Sequence, residues 1–357
     1  MSEKILMKGA EAIGEAAIKA GCRLFFGYPI TPQNEAPAYM SKRMPEVNGT
    51  FLQAESEVSA INMLYGAAGA GHRVMTSSSS PGISLMMEGL SYIAGAQLPV
   101  VVVNVMRGGP GLGGIGPAQA DYFQSTKGGG HGDFRIITLA PADLQEQVDI
   151  MYDAFDLADK YRNPVMVLTD GLLGQIMEAV EFKTELDPSS FKPPAWAVTG
   201  RKNRPKNLIN SFDLDLDGLE RHNHEIQAKY KTIQEKEVKF ESFHAEDSEI
   251  VVVAYGTMGR ICKTAIRKMR EKENASVGLL RPITLWPFPE KKMLELAQKP
   301  SVKAFCTFEL SAGQMVEDVR LYSKELKPVH FHGRTGGNVP SPEEVIEKIK
   351  SVQKEAR

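Results

Sequence analysis

The chain has 357 residues, enough for two domains and at most three. Hydrophobic residues at 42% and charged residues at 24% fit a globular protein, and with a formal net charge of -2 nothing suggests a nucleic-acid or anionic-membrane partner. The three cysteines, Cys22, Cys262 and Cys306, stand far apart with no C-x-x-C, which gives neither a disulfide framework nor an iron–sulfur or zinc signature, so if the protein does redox chemistry the electrons go to something it does not itself hold.

In chain order, Ala10, Ile13, Ala17 and Ala20 recur at helical spacing, and a short strand follows at residues 24–26. Residues 51–53 read as a strand, after which Ser56 caps a helix to about Gly69. A strand at 73–76 precedes a helix with Ser80 as cap, Pro81 in its first turn, and Ile83, Met86, Met87 and Leu90 on one face. The β-branched run at 100–105 is the pattern of a strand buried on both faces. The longest uncharged apolar run, Pro99 to Met106, is far too short to span a bilayer. With no apolar signal core at the N-terminus, the expectation is a cytoplasmic protein with no membrane partner. A strand at 136–139, a helix at about 142–161 and a strand at 165–169 follow.

Such alternation implies a parallel sheet clad by helices, and we assign this first α/β domain to residues 1–185. Residues 186–245 read as a surface connector, broken by Pro188, Pro193, Pro194 and Pro205 and carrying a charged, exposed helix at 219–238. A second, smaller α/β domain spans 246–357, with strands at 250–254, 277–279 and 304–308 and helices near 260–273, 312–326 and from Pro342 onward.

Ligands in such sheets bind where strands end and helices begin. Three of these turns are unusual. In Y-P-I-T-P (Tyr28, Pro29, Ile30, Thr31, Pro32) two prolines fix the backbone around the Thr31 hydroxyl, and an ordinary threonine cap is the plain alternative. In Q-A-E-S-E, Glu57 falls in a first helical turn, where an acid also suits the helix dipole. In V-M-R-G-G-P-G-L-G-G, Arg107 leaves the end of the most buried strand, suited to bidentate capture of a carboxylate or to a local ion pair. Gly109, Gly111 and Gly114 also fit G-x-G-x-x-G, but Ile115-Gly116-Pro117 is poor helix and no acid ends the next strand, which argues against a dinucleotide site. The glycine-rich run Lys127 to Asp133 reads as a mobile active-site loop, with His131 as a possible contact to substrate or partner or a mere turn residue. His222 and His224 form H-x-H without further ligands nearby, so no metal site is expected.

Together the strings F-G-Y-P-I-T-P, L-Q-A-E-S-E, T-S-S-S-S-P-G-I-S-L-M-M-E-G-L, V-M-R-G-G-P-G and Y-R-N-P-V-M-V-L-T-D-G resemble, in order, the alpha subunit of the 2-oxoacid:ferredoxin oxidoreductases. The strings A-Y-G-T-M-G-R, L-R-P-I-T-L-W-P-F-P and E-L-S-A-G-Q-M extend the likeness over residues 250–320, nearest the branched-chain type that acts on 2-oxoisovalerate (3-methyl-2-oxobutanoate). The resemblance implies a thiamine-diphosphate-binding-type parallel-sheet domain that takes the pyrimidine half of the cofactor, followed by a transketolase C-terminal-like α/β domain. It implies Glu57 on the aminopyrimidine ring, Thr31 and Arg107 on the substrate, and Tyr28, Pro29 and Ile30 beside the cofactor. It further implies a separate beta subunit holding the diphosphate, its magnesium and an iron–sulfur cluster, with gamma and ferredoxin-like delta subunits in some members, and self-pairing of this chain. The implied reaction converts a 2-oxoacid and coenzyme A to acyl-CoA and carbon dioxide, with electrons passed to ferredoxin. Enzymes of the 2-oxoglutarate or pyruvate type, a non-oxidative thiamine enzyme and a scaffold with a decayed pocket are the competing readings. Retention of Thr31, Glu57 and Arg107 together argues against decay.

Overall fold

The computed structural model describes residues 4–187 and 191–355, so Pro188 lies outside the described residues. The first part runs β1 (Ile5–Lys8), α1 (Gly9–Lys19), β2 (Leu24–Gly27), α2 (Glu35–Glu46), β3 (Thr50–Gln53), α3 (Glu57–Gly69), β4 (Val74–Ser78), α4 (Ser80–Gly95) and β5 (Val100–Met106). It continues through α5 (Tyr122–Thr126), β6 (Ile137–Leu139), α6 (Leu144–Tyr161), β7 (Pro164–Asp170), α7 (Gly171–Gln175) and β8 (Met177–Val180). Then come α8 (Leu216–Lys236), β9 (Phe240–Phe243), β10 (Ile250–Val253), α9 (Gly256–Glu273), β11 (Val277–Pro282), β12 (Thr284–Trp286), α10 (Glu290–Gln298), β13 (Ala304–Glu309), α11 (Met315–Ser323), β14 (Val329–Gly333) and α12 (Pro342–Glu355).

Among the described residues three sheets form. The largest has seven strands in the order β12-β6-β7-β5-β4-β2-β3, parallel except at β12. Every residue of β5 and β7 is buried, as the unbroken apolar run required. The second sheet has the order β14-β13-β10-β11-β9, parallel except at β9. A small antiparallel pair, β1 with β8, completes the set. Among the described residues no helix is long and apolar enough to cross a membrane.

Local sequence explains the elements that place the site. Ser56 caps α3 by accepting the Ser59 N–H at 3.2 Å. Asp143 caps α6 in the same way, accepting the Glu146 N–H at 2.8 Å. The cap of α4 is Ser79 rather than Ser80; Ser80 is the first helical residue, and its hydroxyl turns elsewhere.

Three features differ from the sequence-based expectations. Helix α8 is not simply an exposed connector helix, because Ile226, Tyr230 and Ile233 recur at helical spacing and are buried. Strand β9, inside the expected connector, already belongs to the second sheet, antiparallel to β11. Strand β12, from the C-terminal third, closes the β6 edge of the first sheet, with Thr284 opposite Leu139. Trp286 drives that placement: it is buried and packs edge-on against Tyr230, with ring centroids 5.5 Å apart.

Candidate active site

Strands β5, β4, β2 and β3 are parallel neighbours, so their C-terminal ends open on one edge. The turns after β2, β3 and β5 carry Thr31, Glu57 and Arg107 respectively, and α4 begins beside them after β4.

The Tyr28–Pro32 turn is tied down by a residue that no sequence pattern singles out. Gln33 is fully buried; its Oε1 accepts from Ser77 Oγ at 2.6 Å, and its Nε2 donates to the Tyr28 carbonyl at 3.3 Å. The turn is thereby pinned to β4 while Tyr28, Pro29 and Thr31 stay exposed and Ile30 is half-buried. Among the described residues the Thr31 hydroxyl has only a long 3.4 Å contact from Asn34 Nδ2, which leaves it available to a ligand.

Glu57 opens α3 and is only 5% exposed. Its neighbour Glu55 is exposed. The Glu57 carboxylate lies against the first turn of α4, where Gly82 has no side chain to exclude it. Among the described residues it has no hydrogen-bond or ion-pair partner. An acid so buried is costly unless something donates to it. The Ser78 hydroxyl beside Gly82 is buried and, among the described residues, likewise without a partner.

Arg107 is 7% exposed and reaches across to the first turn. Its Nη1 donates to the Thr31 carbonyl and its Nη2 to the Leu112 carbonyl, each at 2.9 Å. The expected carboxylate fork is therefore partly engaged in joining two loops. A guanidinium has five N–H donors, so among the described residues three remain without a partner, one of them a buried Nε–H. The loop it holds is closed on itself, with Gly108 N–H donating to Gly116 O at 2.9 Å and Gly114 N–H to Gly108 O at 2.8 Å. Gly113 sits at φ 59°, and a β-carbon there would stand 1.8 Å from the Gly108 carbonyl oxygen, so only glycine fits. That rigid loop presents Leu112 and Ile115 to solvent, at 84% and 66% exposure.

Beside Arg107 a cleft of about 520 Å³ separates the two α/β units, lined by Ser80, Arg107 and Asp121 on one side and Ser311, Gln314 and Gly336 on the other. Asp121 had no sequence signal, since its partners are distant in the chain. Burial raises its carboxyl above the ordinary range, against the lowering effect of the Ser80 and Asn104 donors.

His131 is not brought to this edge. Its ring stands edge-on to Tyr92, centroids 6.4 Å apart, in an apolar cavity of about 570 Å³ with Phe212 and Ile226. Tyr92 follows Ser80 along α4 by a distance of roughly 18 Å at the usual rise per residue. The cause is the run of glycines: Gly129 and Gly130 pack directly on Met87, which lays the loop along the flank of α4. A larger hollow, of about 640 Å³, lies between this loop and α8, also away from the strand ends. His222 bonds the Gly95 carbonyl at 2.6 Å, and among the described residues no cluster of three or more His, Cys, Asp or Glu is arranged to hold a metal.

With this geometry, residues 15–250 match the family model described as pyruvate flavodoxin/ferredoxin oxidoreductase, thiamine-diphosphate-binding, and residues 248–345 match pyruvate:ferredoxin oxidoreductase core domain II. The chain belongs to the thiamine-dependent 2-oxoacid:ferredoxin oxidoreductases. Among these oxidoreductases, it is similar to ketoisovalerate oxidoreductase subunit VorB of Methanothermobacter thermautotrophicus, at 50% identity over 348 residues and 97% of each chain. It is also similar to 2-oxoglutarate synthase subunit KorA of Methanocaldococcus jannaschii, at 33% identity over 95% of this chain and 97% of that one. The solved 2-oxoglutarate:ferredoxin oxidoreductase from Magnetococcus marinus superposes with a TM-score of 0.87 at 25% identity. That match covers 98% of this chain, which spans 65% of the solved one. A split-gene transketolase has the same fold at a TM-score of 0.61 and 15% identity, covering 98% of this chain and 99% of that one. The α/β architecture expected from the sequence is thus that of the family.

Proposed function

We propose that this chain is the alpha, pyrimidine-binding subunit of an enzyme that oxidatively decarboxylates a branched-chain 2-oxoacid, 2-oxoisovalerate, to acyl-CoA. The observation that carries the reading is the carboxylate of the buried Glu57, facing Gly82 and without a partner among the described residues, on the sheet edge that also carries Arg107. An acid held in that way suits a ring nitrogen that must be hydrogen-bonded, as in an aminopyrimidine. Thiamine diphosphate, when bound, supplies the nucleophile and retains the electrons left by departing carbon dioxide. Glu57 holds the ring and biases its proton. The free N–H donors of Arg107 and the Thr31 hydroxyl take the substrate's carboxylate and carbonyl, with Tyr28, Pro29 and Ile30 lining the approach to the cofactor.

The substrate assignment rests on two supports. The relative at 50% identity is named for ketoisovalerate, whereas the relative named for 2-oxoglutarate is at 33%. Leu112 and Ile115, exposed on the loop that Arg107 holds, offer apolar surface to a branched side chain and nothing to a second carboxylate.

The same proposal gives the diphosphate, its magnesium and the iron–sulfur cluster to a beta subunit. Gamma and ferredoxin-like delta subunits, ferredoxin and coenzyme A complete the cytoplasmic assembly, in which this chain pairs with itself. It is supported by full-length relatives that are named as subunits. The test is a kcat/KM series on the assembled complex over 2-oxoisovalerate, pyruvate, 2-oxoglutarate and an aryl pyruvate. A hydrophobic pocket discriminates by about 1–3 kcal/mol per methylene, so overlap among the apolar substrates is expected. A clear preference for 2-oxoglutarate would overturn the branched-chain assignment.

A further inference from the structure

We propose that Asp121 is a positioning residue which, through Ser80, fixes the main chain of Arg107 and so sets the reach of its guanidinium. The inference rests on the substrate-binding role proposed for Arg107. The Ser80 hydroxyl is the pivot. It accepts the Arg107 backbone N–H at 3.0 Å and donates to Asp121 Oδ2 at 2.6 Å. A hydroxyl has one hydrogen to give. The alternative acceptor, the Arg107 carbonyl, is 3.4 Å away, outside the usual O–H···O range. The carboxylate therefore commits that hydrogen, and the oxygen lone pair is left turned toward the Arg107 N–H.

The carboxylate is itself held. Asn104, fully buried on β5, donates to the same Oδ2 at 2.9 Å. The next residue, Tyr122, is fully buried and donates to Asp318 of α11 at 2.6 Å, which anchors the start of α5 against the second α/β unit. Asp121 thus joins the end of β5, the start of α4 and the start of α5 at one oxygen atom. Arg107 leaves β5 immediately after this junction, and its side chain must meet the Thr31 and Leu112 carbonyls at 2.9 Å each. Loosening the junction tilts the strand end and carries the guanidinium with it.

The test uses the assembled wild-type complex and its Asp121→Ala, Asp121→Asn and Ser80→Ala variants, with an Asp121→Ala/Ser80→Ala double variant. Removing a hydrogen bond to a charged group typically changes an equilibrium by roughly 10- to 100-fold. Asp121→Ala and Ser80→Ala should each raise KM for the 2-oxoacid by about that factor and leave KM for coenzyme A unchanged. The double variant should be no worse than either single one, because both act on one path. Asp121→Asn keeps an acceptor for Ser80 and Asn104 and should restore most of the loss. Amide exchange at Arg107 in the isolated chain gives a readout independent of activity: it should quicken in both alanine variants and stay slow in Asp121→Asn. If the Asp121→Ala chain does not assemble, Ser80→Ala and the exchange measurement carry the test. Equal effects on both substrates, additive single variants, or unchanged Arg107 exchange would each overturn the proposal. Failure of the wild-type complex to turn over any 2-oxoacid would instead count against the function proposed above, and the exchange result would still stand.

Discussion

A β-carbon at Gly82 would stand 2.5 Å from Glu57 Oε1 and 2.1 Å from Ser78 Oγ, so the glycine and the buried acid are fitted to one another across two helices. Gly82→Ala should displace the carboxylate without unfolding the chain. Misplacement by about 1 Å can cost roughly 100-fold in rate, and that is the expected loss in turnover of the assembled complex. Glu57→Gln keeps the shape and removes the acid, and should cost about 10²–10⁴-fold. Circular dichroism and steady-state turnover of both variants check this. Full turnover by Gly82→Ala would mean that the position of Glu57 is not critical.

Arg107→Lys retains a positive charge, but one ammonium cannot reproduce a planar fork that reaches both the Thr31 and Leu112 carbonyls. We expect kcat/KM for the 2-oxoacid to fall by about 100-fold, as for loss of one or two charged hydrogen bonds. Amide exchange across residues 108–116 should rise at the same time. A normal oxoacid dependence would make Arg107 a loop brace only.

Arg281 ties the two α/β units together. It is buried, and it holds Glu146 of α6 through Nη1 at 2.9 Å and Nη2 at 2.8 Å and Glu241 of β9 through Nε at 2.8 Å. Arg281→Met leaves two carboxylates facing an apolar side chain and should destabilise the chain by about 3–5 kcal/mol, read as a fall in thermal midpoint. Burial by itself would raise the Glu241 carboxyl, but the Lys263 and Arg281 donors outweigh it and the net shift is downward. A carboxyl whose folded pKa lies below its unfolded value stabilises above the unfolded pKa, and that stability is lost as pH falls through the folded pKa. Acid titration of the wild type should therefore show a loss of midpoint below the ordinary glutamate range, and Arg281→Met should weaken that dependence.

The isolated chain should be catalytically silent and bind thiamine diphosphate weakly, because the charge of the cofactor lies on its diphosphate, which needs a metal and donors of its own. Calorimetric titration with the cofactor and magnesium, followed by an electron-acceptor assay, checks this. Micromolar binding or any turnover without partner subunits would show a complete site in one polypeptide.

The strongest signals in the sequence were local ones. The valine run of β5, the Ser56 cap of α3 and the proline in the first turn of α4 needed no tertiary information, and they locate the sheet edge that carries Thr31, Glu57 and Arg107. What Arg107 touches was not legible, since its partners are main-chain carbonyls whose identity leaves no trace in side-chain pattern. Asp121 and Gln33 were passed over for a different reason: their roles depend on side-chain bonds to Ser80, Asn104 and Ser77 that only the fold brings near. The glycines at 128–130 suggested freedom at the active site, whereas two of them serve close packing on Met87. The buried face of α8 was in principle readable from the spacing of Ile226, Tyr230 and Ile233, but the surrounding charges masked it.

The family models divide the chain near residue 250, yet Thr284–Trp286 lies beyond that point and hydrogen-bonds to β6 in the first sheet. The polypeptide is therefore laced rather than concatenated. A fragment cut at the seam would leave the main-chain groups of Ile137–Leu139 bare along an open margin, an invitation to pair with a neighbouring molecule. Swapping the C-terminal part between relatives would replace an edge strand of the thiamine-binding sheet as well as the smaller domain. A chimaera made at residue 250 would inherit a mismatched border unless the Leu285 and Trp286 surface were carried over with its Tyr230 counterpart.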